Sequence, residues 1–131
     1  MGDHPMKLSN LLALNAVVAL VFGIGFLLVP GSVLAMYGAT PGPQINLTGQ
    51  LFAVELIHIA VLAWLIRNVS DGLAQRAVVI AGLVANLVGL VVSLIGTLSG
   101  VVNSLGWSAV VIYLVLGLGY AYFQFMRPRT S

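Results

Sequence analysis

The sequence predicts an all-α membrane protein in which four transmembrane helices form a bundle, with both termini in the cytoplasm. Composition is the first observation, since 60% of the 131 residues are hydrophobic, 6% are charged and the mean hydropathy is +1.11. Soluble domains carry about 25% charged residues, so lipid must be the solvent for most of this surface. The other two observations are four apolar runs of the roughly 20 residues that cross a bilayer, and the position of every basic residue on one side of them.

Composition also excludes several classes of function. Five basic and three acidic residues, with a net charge of +2, are too few for a nucleic-acid-binding patch or for the wetted surface of a soluble enzyme. The chain has no cysteine. Disulfide-stapled secreted domains, thiol chemistry and thiolate metal sites are therefore excluded as well.

The first two predicted elements are a span and a short turn on the outer surface. The first span covers residues 8–29 and ends before Pro30, which removes a backbone donor. This run is longer than the apolar core of a signal peptide, which has about 7 to 15 residues, so we expect it to remain uncleaved. Ser32 is a candidate cap for an interfacial helical turn over residues 32–38.

Three further spans are predicted, at residues 48–66, 76–98 and 104–126. Thr48 is a candidate N-cap for the second span, and Arg127 with the proline that follows it ends the fourth. The connections between spans are short. The whole chain is therefore predicted to be a single four-span domain.

The basic residues predict the orientation. With four crossings, the N-terminal tail, the second loop and the C-terminal tail share one side of the membrane. These regions contain all five basic residues, Lys7, Arg67, Arg76, Arg127 and Arg129, whereas the loops over residues 30–47 and 99–103 carry no charge. The positive-inside rule then predicts that this basic side faces the cytoplasm, with both termini inside.

Aromatic residues agree with these spans. Trp64 and Trp107 lie near predicted helix ends, where tryptophan anchors helices among lipid headgroups, and Tyr120 and Tyr122 are expected to do the same. We expect Trp64 to face lipid.

Small side chains form a stripe along the third span. Helices in lipid associate through close packing of small residues and through interhelical hydrogen bonds. The stripe recurs at alternating spacings of four and three residues and comprises Gly82, Asn86, Gly89, Ser93, Gly96 and Gly100. A weaker stripe on the first span comprises Ser9, Ala13, Ala16 and Gly23. Both are predicted to be packing seams in or near the centre of the bundle.

One acidic residue and one histidine lie at mid-depth in the second span. Glu55 and His58 are three residues apart, so their side chains are neighbours on one helix face with Leu51 and Leu62. An ionised carboxylate at this depth costs about 3 kcal/mol if it faces lipid. We therefore expect Glu55 to face protein or water, and we regard the pair as candidate ligand-binding residues.

Three further polar residues lie at similar depths and complete the candidate ligand-binding set: Asn15, Asn86 and Tyr113. The alternative interpretation is that they are interhelical hydrogen-bond partners that fix the helix register. Counting excludes stable metal centres, because Glu55 is the only acidic residue in a span and the other histidine, His4, is in the N-terminal tail. A magnesium pigment needs one axial imidazole and is not excluded. Hydrolase triads and phosphate-binding glycine loops are absent, so we expect no enzyme activity.

The second and third spans resemble the DoxX-like group of small four-helix bacterial membrane proteins. The residues that carry the resemblance are Gly49, Glu55-Leu56, Leu62-Ala63-Trp64-Leu65 and Arg76-Ala77, with Gly23-x-Gly25, Pro30 and Met36-Tyr37-Gly38 before them. The resemblance implies a four-helix fold that crosses the bacterial cytoplasmic membrane several times, and it places Glu55 at the position of that group's second-span glutamate. Some members are associated with quinone-linked oxidoreductases. His58 is not part of the pattern.

A shorter resemblance covers Ala53 to Leu62, which is similar to the pigment-binding helix of bacterial antenna polypeptides. It implies bacteriochlorophyll with His58 as axial ligand, although antenna chains have a single span.

Three functions remain open from the sequence. The first is an accessory or assembly subunit of a larger membrane complex, or a module that binds an apolar ligand such as a quinone, a lipid or a pigment. The second is a small, oligomeric proton-coupled transporter with Glu55 as its proton site. The third is a bacteriochlorophyll-binding subunit. The expected partners are the lipid bilayer and either other membrane subunits or further copies of the chain.

Overall fold

The computed structural model describes residues 7–126. These residues contain no strand and form α1 (Leu8–Leu28), α2 (Pro30–Met36), α3 (Pro43–Ile66), α4 (Gly72–Leu98), α5 (Gly106–Ala121) and a final π-helical turn (Tyr122–Met126). Four segments are long and apolar enough to cross a membrane, namely α1, α3, α4, and α5 with its π-helical turn. The predicted fold class, an all-α protein with four spans, is confirmed. Predictions about His4, Arg127 and Arg129 lie outside the described residues.

The second span begins earlier than predicted. α3 starts at Pro43, with Gly42 as an extended N-cap, because proline in the first turn leaves no intrahelical hydrogen bond unmade. Thr48 is therefore not the cap. Its Oγ1 donates instead to the carbonyl of Gln44 at 3.0 Å, one turn back within the helix.

The loops on either side of α4 also differ from the prediction. α4 starts at Gly72 rather than at Arg76, because Oδ1 of Asp71 accepts a hydrogen bond from the backbone N–H of Leu73 at 2.9 Å. α5 starts at Gly106 rather than at residue 104, after a turn in which Asn103 Oδ1 accepts from the N–H of Leu105 at 3.0 Å.

The predicted interfacial turn is the short helix α2. It begins at Pro30, and Ser32 does not cap it, since no side chain caps this helix. Pro30 therefore ends α1 and also occupies the first turn of the next helix, where its fixed φ is favourable. Beyond α2, Gly38 has a φ of +90°, a left-handed conformation that lets the chain turn towards α3.

The long helices pack as two pairs. In the first pair α1 lies along α3, and in the second α4 lies along α5. Gly23 permits the close approach in the first pair, because a Cβ there would lie 3.0 Å from Cγ1 of Ile57. The two pairs meet through α1 and α5, where a Cβ at Gly119 would lie 2.7 Å from Cδ1 of Leu11.

The two ends of the molecule are held together by different contacts, and the basic residues of the described chain lie at one of them. One end contains the apolar core, formed by Leu8, Leu11, Leu12, Ala16, Ala63, Val79, Leu116 and Tyr120. This core brings the start of α1, the end of α3 and the start of α4 together, so the basic residues next to them, Lys7, Arg67 and Arg76, share that end. At the same end Trp64 is exposed, as predicted, with the Arg67 guanidinium 3.6 Å above its ring.

The opposite end is joined by hydrogen bonds between the loop after α2 and the loop before α5. The N–H of Asn103 donates to the carbonyl of Tyr37 at 2.9 Å, and its Nδ2 donates to the carbonyl of Met36 at 3.0 Å. The Tyr37 hydroxyl lies 3.3 Å from Oγ of Ser108. These bonds connect the two helix pairs at the end without basic residues.

Candidate functional site

Glu55 and His58 lie on the side of α3 that faces away from α1. The opposite side of this helix is buried, through Gly49, Ala53, Ala60 and Ala63. Successive residues of a helix are about 100° apart, which places the polar pair nearly opposite this buried side. The exposed fraction of the side chain is 70% for Glu55 and 67% for His58. The described helices of this chain therefore do not supply the protein cover that the sequence predicts for Glu55.

The two side chains contact each other only loosely. Nδ1 of His58 lies 3.6 Å from Oε2 of Glu55, which is longer than a hydrogen bond. Between residues 7 and 126, neither side chain has a hydrogen-bond partner. A donor or acceptor outside the chain can therefore reach both groups.

Asn15 does not join this pair but forms a separate contact between the two helix pairs. Its Nδ2 donates to the hydroxyl of Tyr120 at 2.6 Å, linking α1 to α5. Tyr120 is 1% exposed and belongs to the apolar core. The prediction that Tyr120 is an interfacial anchor is therefore wrong, because its hydroxyl finds a polar partner inside the protein.

Tyrosine rings cover two of the glycines on α4. A Cβ at Gly82 would lie 2.7 Å from Cζ of Tyr120, and a Cβ at Gly89 would overlap the ring of Tyr113. Gly82 and Tyr120 are both 19 residues from Val101 in the loop between α4 and α5, and Gly89 and Tyr113 are both 12 residues from it. This register is the sequence signal that could have placed both tyrosines on the stripe. This part of the stripe, from Gly82 to Gly89, packs against α5.

Asn86 lies between these two glycines and is 7% exposed. Its Nδ2 donates to the carbonyl of Gly82 at 2.7 Å, within α4. Across the interface its Cβ faces Gly117, where an added Cβ would lie at an ordinary contact distance of 3.5 Å. The amide nitrogen thus has its partner within its own helix.

The outer part of the stripe has a different role. Ser93 Oγ donates to the carbonyl of Leu90 at 3.2 Å within α4, and a Cβ at Gly96 would meet no atom within 4 Å. Gly100 lies beyond the helix with a φ of +80°, and the next N–H, of Val101, donates to the carbonyl of Gly96 at 3.0 Å. This is the helix-ending motif that favours glycine. Gly100 therefore ends the helix through its left-handed backbone conformation and does not line a helix interface.

The predicted ligand-binding residues lie in three separate places. Asn15 is between the pairs, Asn86 and Tyr113 are in the α4–α5 interface, and Glu55 with His58 is on the outer face of α3. Within the described part of the chain, no three histidine, cysteine or acidic residues lie close enough to hold a metal ion. The exposed pair on α3 is the candidate site that remains.

Fold and site together define a small four-span helical membrane protein with an exposed acid–histidine pair on one spanning helix. Comparisons with protein-family models, with curated proteins and with solved structures each found no match.

Proposed function

We propose that this protein is an accessory subunit, without a catalytic centre of its own, that binds a membrane protein through the outer face of α3. This docking face consists of Leu51, Glu55, His58 and Leu62, all exposed. The observation that carries the proposal is the exposure of Glu55 and His58 within a helix that is long and apolar enough to span a membrane.

Energetics favour protein cover of this face. A charged residue at the bilayer centre costs about 2.5 to 3.5 kcal/mol on insertion scales, and the described helices leave both groups of the pair uncovered. A neighbouring helix that offers one donor and one acceptor removes most of that cost. Each interhelical hydrogen bond in lipid contributes about 0.6 to 2 kcal/mol.

The resemblance to the DoxX-like group supports the same proposal, because it places that group's second-span glutamate at Glu55. By this extension the protein would belong to a larger membrane complex, such as a quinone-linked oxidoreductase. The basic end of the chain, with Lys7, Arg67 and Arg76, would face the cytoplasm of a bacterial cell.

An apolar ligand with a polar head group is the second candidate for this face. The observation in its favour is that the imidazole of His58 is accessible from the lipid side, as binding of a quinone head group or of a bacteriochlorophyll magnesium requires. A proton route inside a single chain is less favoured, because such a route needs Glu55 between helices rather than on the outside of a pair.

Site-specific photo-crosslinking in native membranes tests the proposal. A photoreactive residue at Leu51, which is 60% exposed, is expected to form a defined protein adduct. Val91 on α4 is the matched control, since it is 55% exposed and at a similar distance from the uncharged end, and it should react with lipid alone. The Leu51 adduct should also decrease when Glu55→Leu is combined with it. Lipid adducts alone at Leu51 would reject the subunit, and a pigment or quinone band in the absorbance spectrum of the purified protein would favour the ligand.

A further inference from the structure

We infer that a second copy of this chain covers the docking face, with Glu55 of each copy against His58 of the other. This inference rests on the proposed function and names its partner. The described helices leave the docking face uncovered, while the opposite side of α3 is already occupied by α1. Within the described residues α3 therefore has one uncovered side, and Glu55 and His58 both lie on it.

The spacing of the docking face fits a parallel helix pair. Leu51, Glu55, His58 and Leu62 follow one another at intervals of four, three and four residues, the pattern of a coiled-coil seam. Two copies in one membrane have the same orientation, so a two-fold axis along the membrane normal makes their α3 helices parallel. Each residue of the seam then lies at the same depth as its counterpart.

Charge complementarity favours a second copy over an unrelated chain. His58 lies three residues from Glu55, or about 4.5 Å along the helix axis, a distance that both side chains can bridge. A two-fold interface repeats each contact, so that a bond from His58 to the partner's carboxylate occurs twice. The imidazole of each copy then donates from Nε2 to the carboxylate of the other. Symmetry thus supplies both complementary groups at the required depth.

Leucines complete the contact above and below these bonds. Leu51 and Leu62 are both exposed and lie one turn to either side of the polar pair. In the paired state they enclose the four polar groups and keep them from lipid. The site is therefore complete only with two copies.

Single cysteines test this arrangement directly, because the protein has none of its own. Leu51→Cys should form a disulfide-linked dimer on mild oxidation in the membrane, since a residue near the two-fold axis meets its counterpart within disulfide reach, a Cα separation of about 4.4 to 6.8 Å. Val91→Cys is the control. We expect the dimer yield of Leu51→Cys to exceed that of the control about tenfold, as a specific contact of about 1.4 kcal/mol would give. Equal yields would overturn the inference.

Complementation between two variants tests the polar contacts. In the Leu51→Cys background, Glu55→His leaves only imidazoles at the interface and His58→Glu leaves only carboxylates. Each variant alone should dimerise about tenfold less, because both bonds between copies are lost. Co-expression should restore the mixed dimer. If Glu55 and His58 acted only on each other within one helix, a second chain could not restore their contact. Failure of the two folded variants to form the mixed dimer would therefore contradict the inference.

The two proposals fail in distinguishable ways. A photo-adduct at Leu51 with a different polypeptide, together with no Leu51→Cys dimer, would overturn the second copy and leave the accessory-subunit proposal standing. Lipid adducts alone, without the dimer, would overturn both. The Leu51→Cys result on the unaltered pair decides this point even if a charge variant fails to fold.

Discussion

The α4–α5 interface and the docking face of α3 use polar residues in opposite ways. In the α4–α5 interface, Asn86 is buried and hydrogen-bonded to its own helix, and glycines receive the rings of Tyr113 and Tyr120. On the docking face, Glu55 and His58 are mostly exposed and have no hydrogen-bond partner in the described chain. The first region buries its polar residues within one chain, whereas the second leaves Glu55 and His58 exposed. The difference makes Glu55 and His58, rather than Asn86, the candidates for contact with a partner outside the chain.

The largest expected effect on stability is that of a substitution in the α4–α5 interface. Gly89→Leu should destabilise the protein by about 1 to 3 kcal/mol, because the new side chain overlaps the ring of Tyr113 and the helices must separate. Thermal unfolding in detergent measures the change. Gly96→Leu is the control one repeat away on the same stripe, where no atom lies within 4 Å.

The Gly96→Leu variant should unfold at the same temperature as the parent protein or slightly higher, because glycine is a poorer helix former than leucine. Equal destabilisation by the two substitutions would show that the ring contact at Gly89 does not hold α4 on α5.

A smaller effect is expected where the two helix pairs meet. Tyr120→Phe removes the hydroxyl that accepts from Asn15 and leaves that amide unpaired, which should cost about 1 kcal/mol. Tyr122→Phe removes a hydroxyl for which no such contact exists among the described residues, and it should be neutral. Chemical unfolding in detergent compares the two, and a neutral Tyr120→Phe would mean that the bond does not join the pairs.

The fold could be predicted from the sequence more completely than the arrangement of the candidate site. Hydropathy predicts four spans because each needs about 20 apolar residues, and it is insensitive to the exact start of a helix. The starts depend on local capping by Pro43 and Asp71, which patterns of hydrophobicity do not contain. Depth along the chain placed Asn15, Asn86, Tyr113 and Glu55 near one level, but depth does not determine the direction in which each side chain points.

The direction in which each polar side chain points is set by the pairing of the helices. Since α1 packs on the small-residue side of α3, Glu55 and His58 are turned outward. Since α4 packs on α5, Asn86 and Tyr113 are used inside that interface. Both pairings come from long-range packing of Gly23 and of the α4 stripe, which a single sequence shows as candidates without naming the partner helix.

The smallest expected effect on stability is that of a substitution on the docking face. Glu55→Gln should change the stability of the detergent-solubilised monomer by less than about 0.5 kcal/mol, because an exposed pair at 3.6 Å contributes little within one chain. Tyr120→Phe, measured in the same detergent, is the control that must show a larger loss. If Glu55→Gln instead destabilises the isolated monomer as strongly, Glu55 is holding its own fold together, and the docking face is not an incomplete surface. A neutral result in detergent together with reduced Leu51→Cys dimer in the membrane would assign the role of Glu55 to contact between chains.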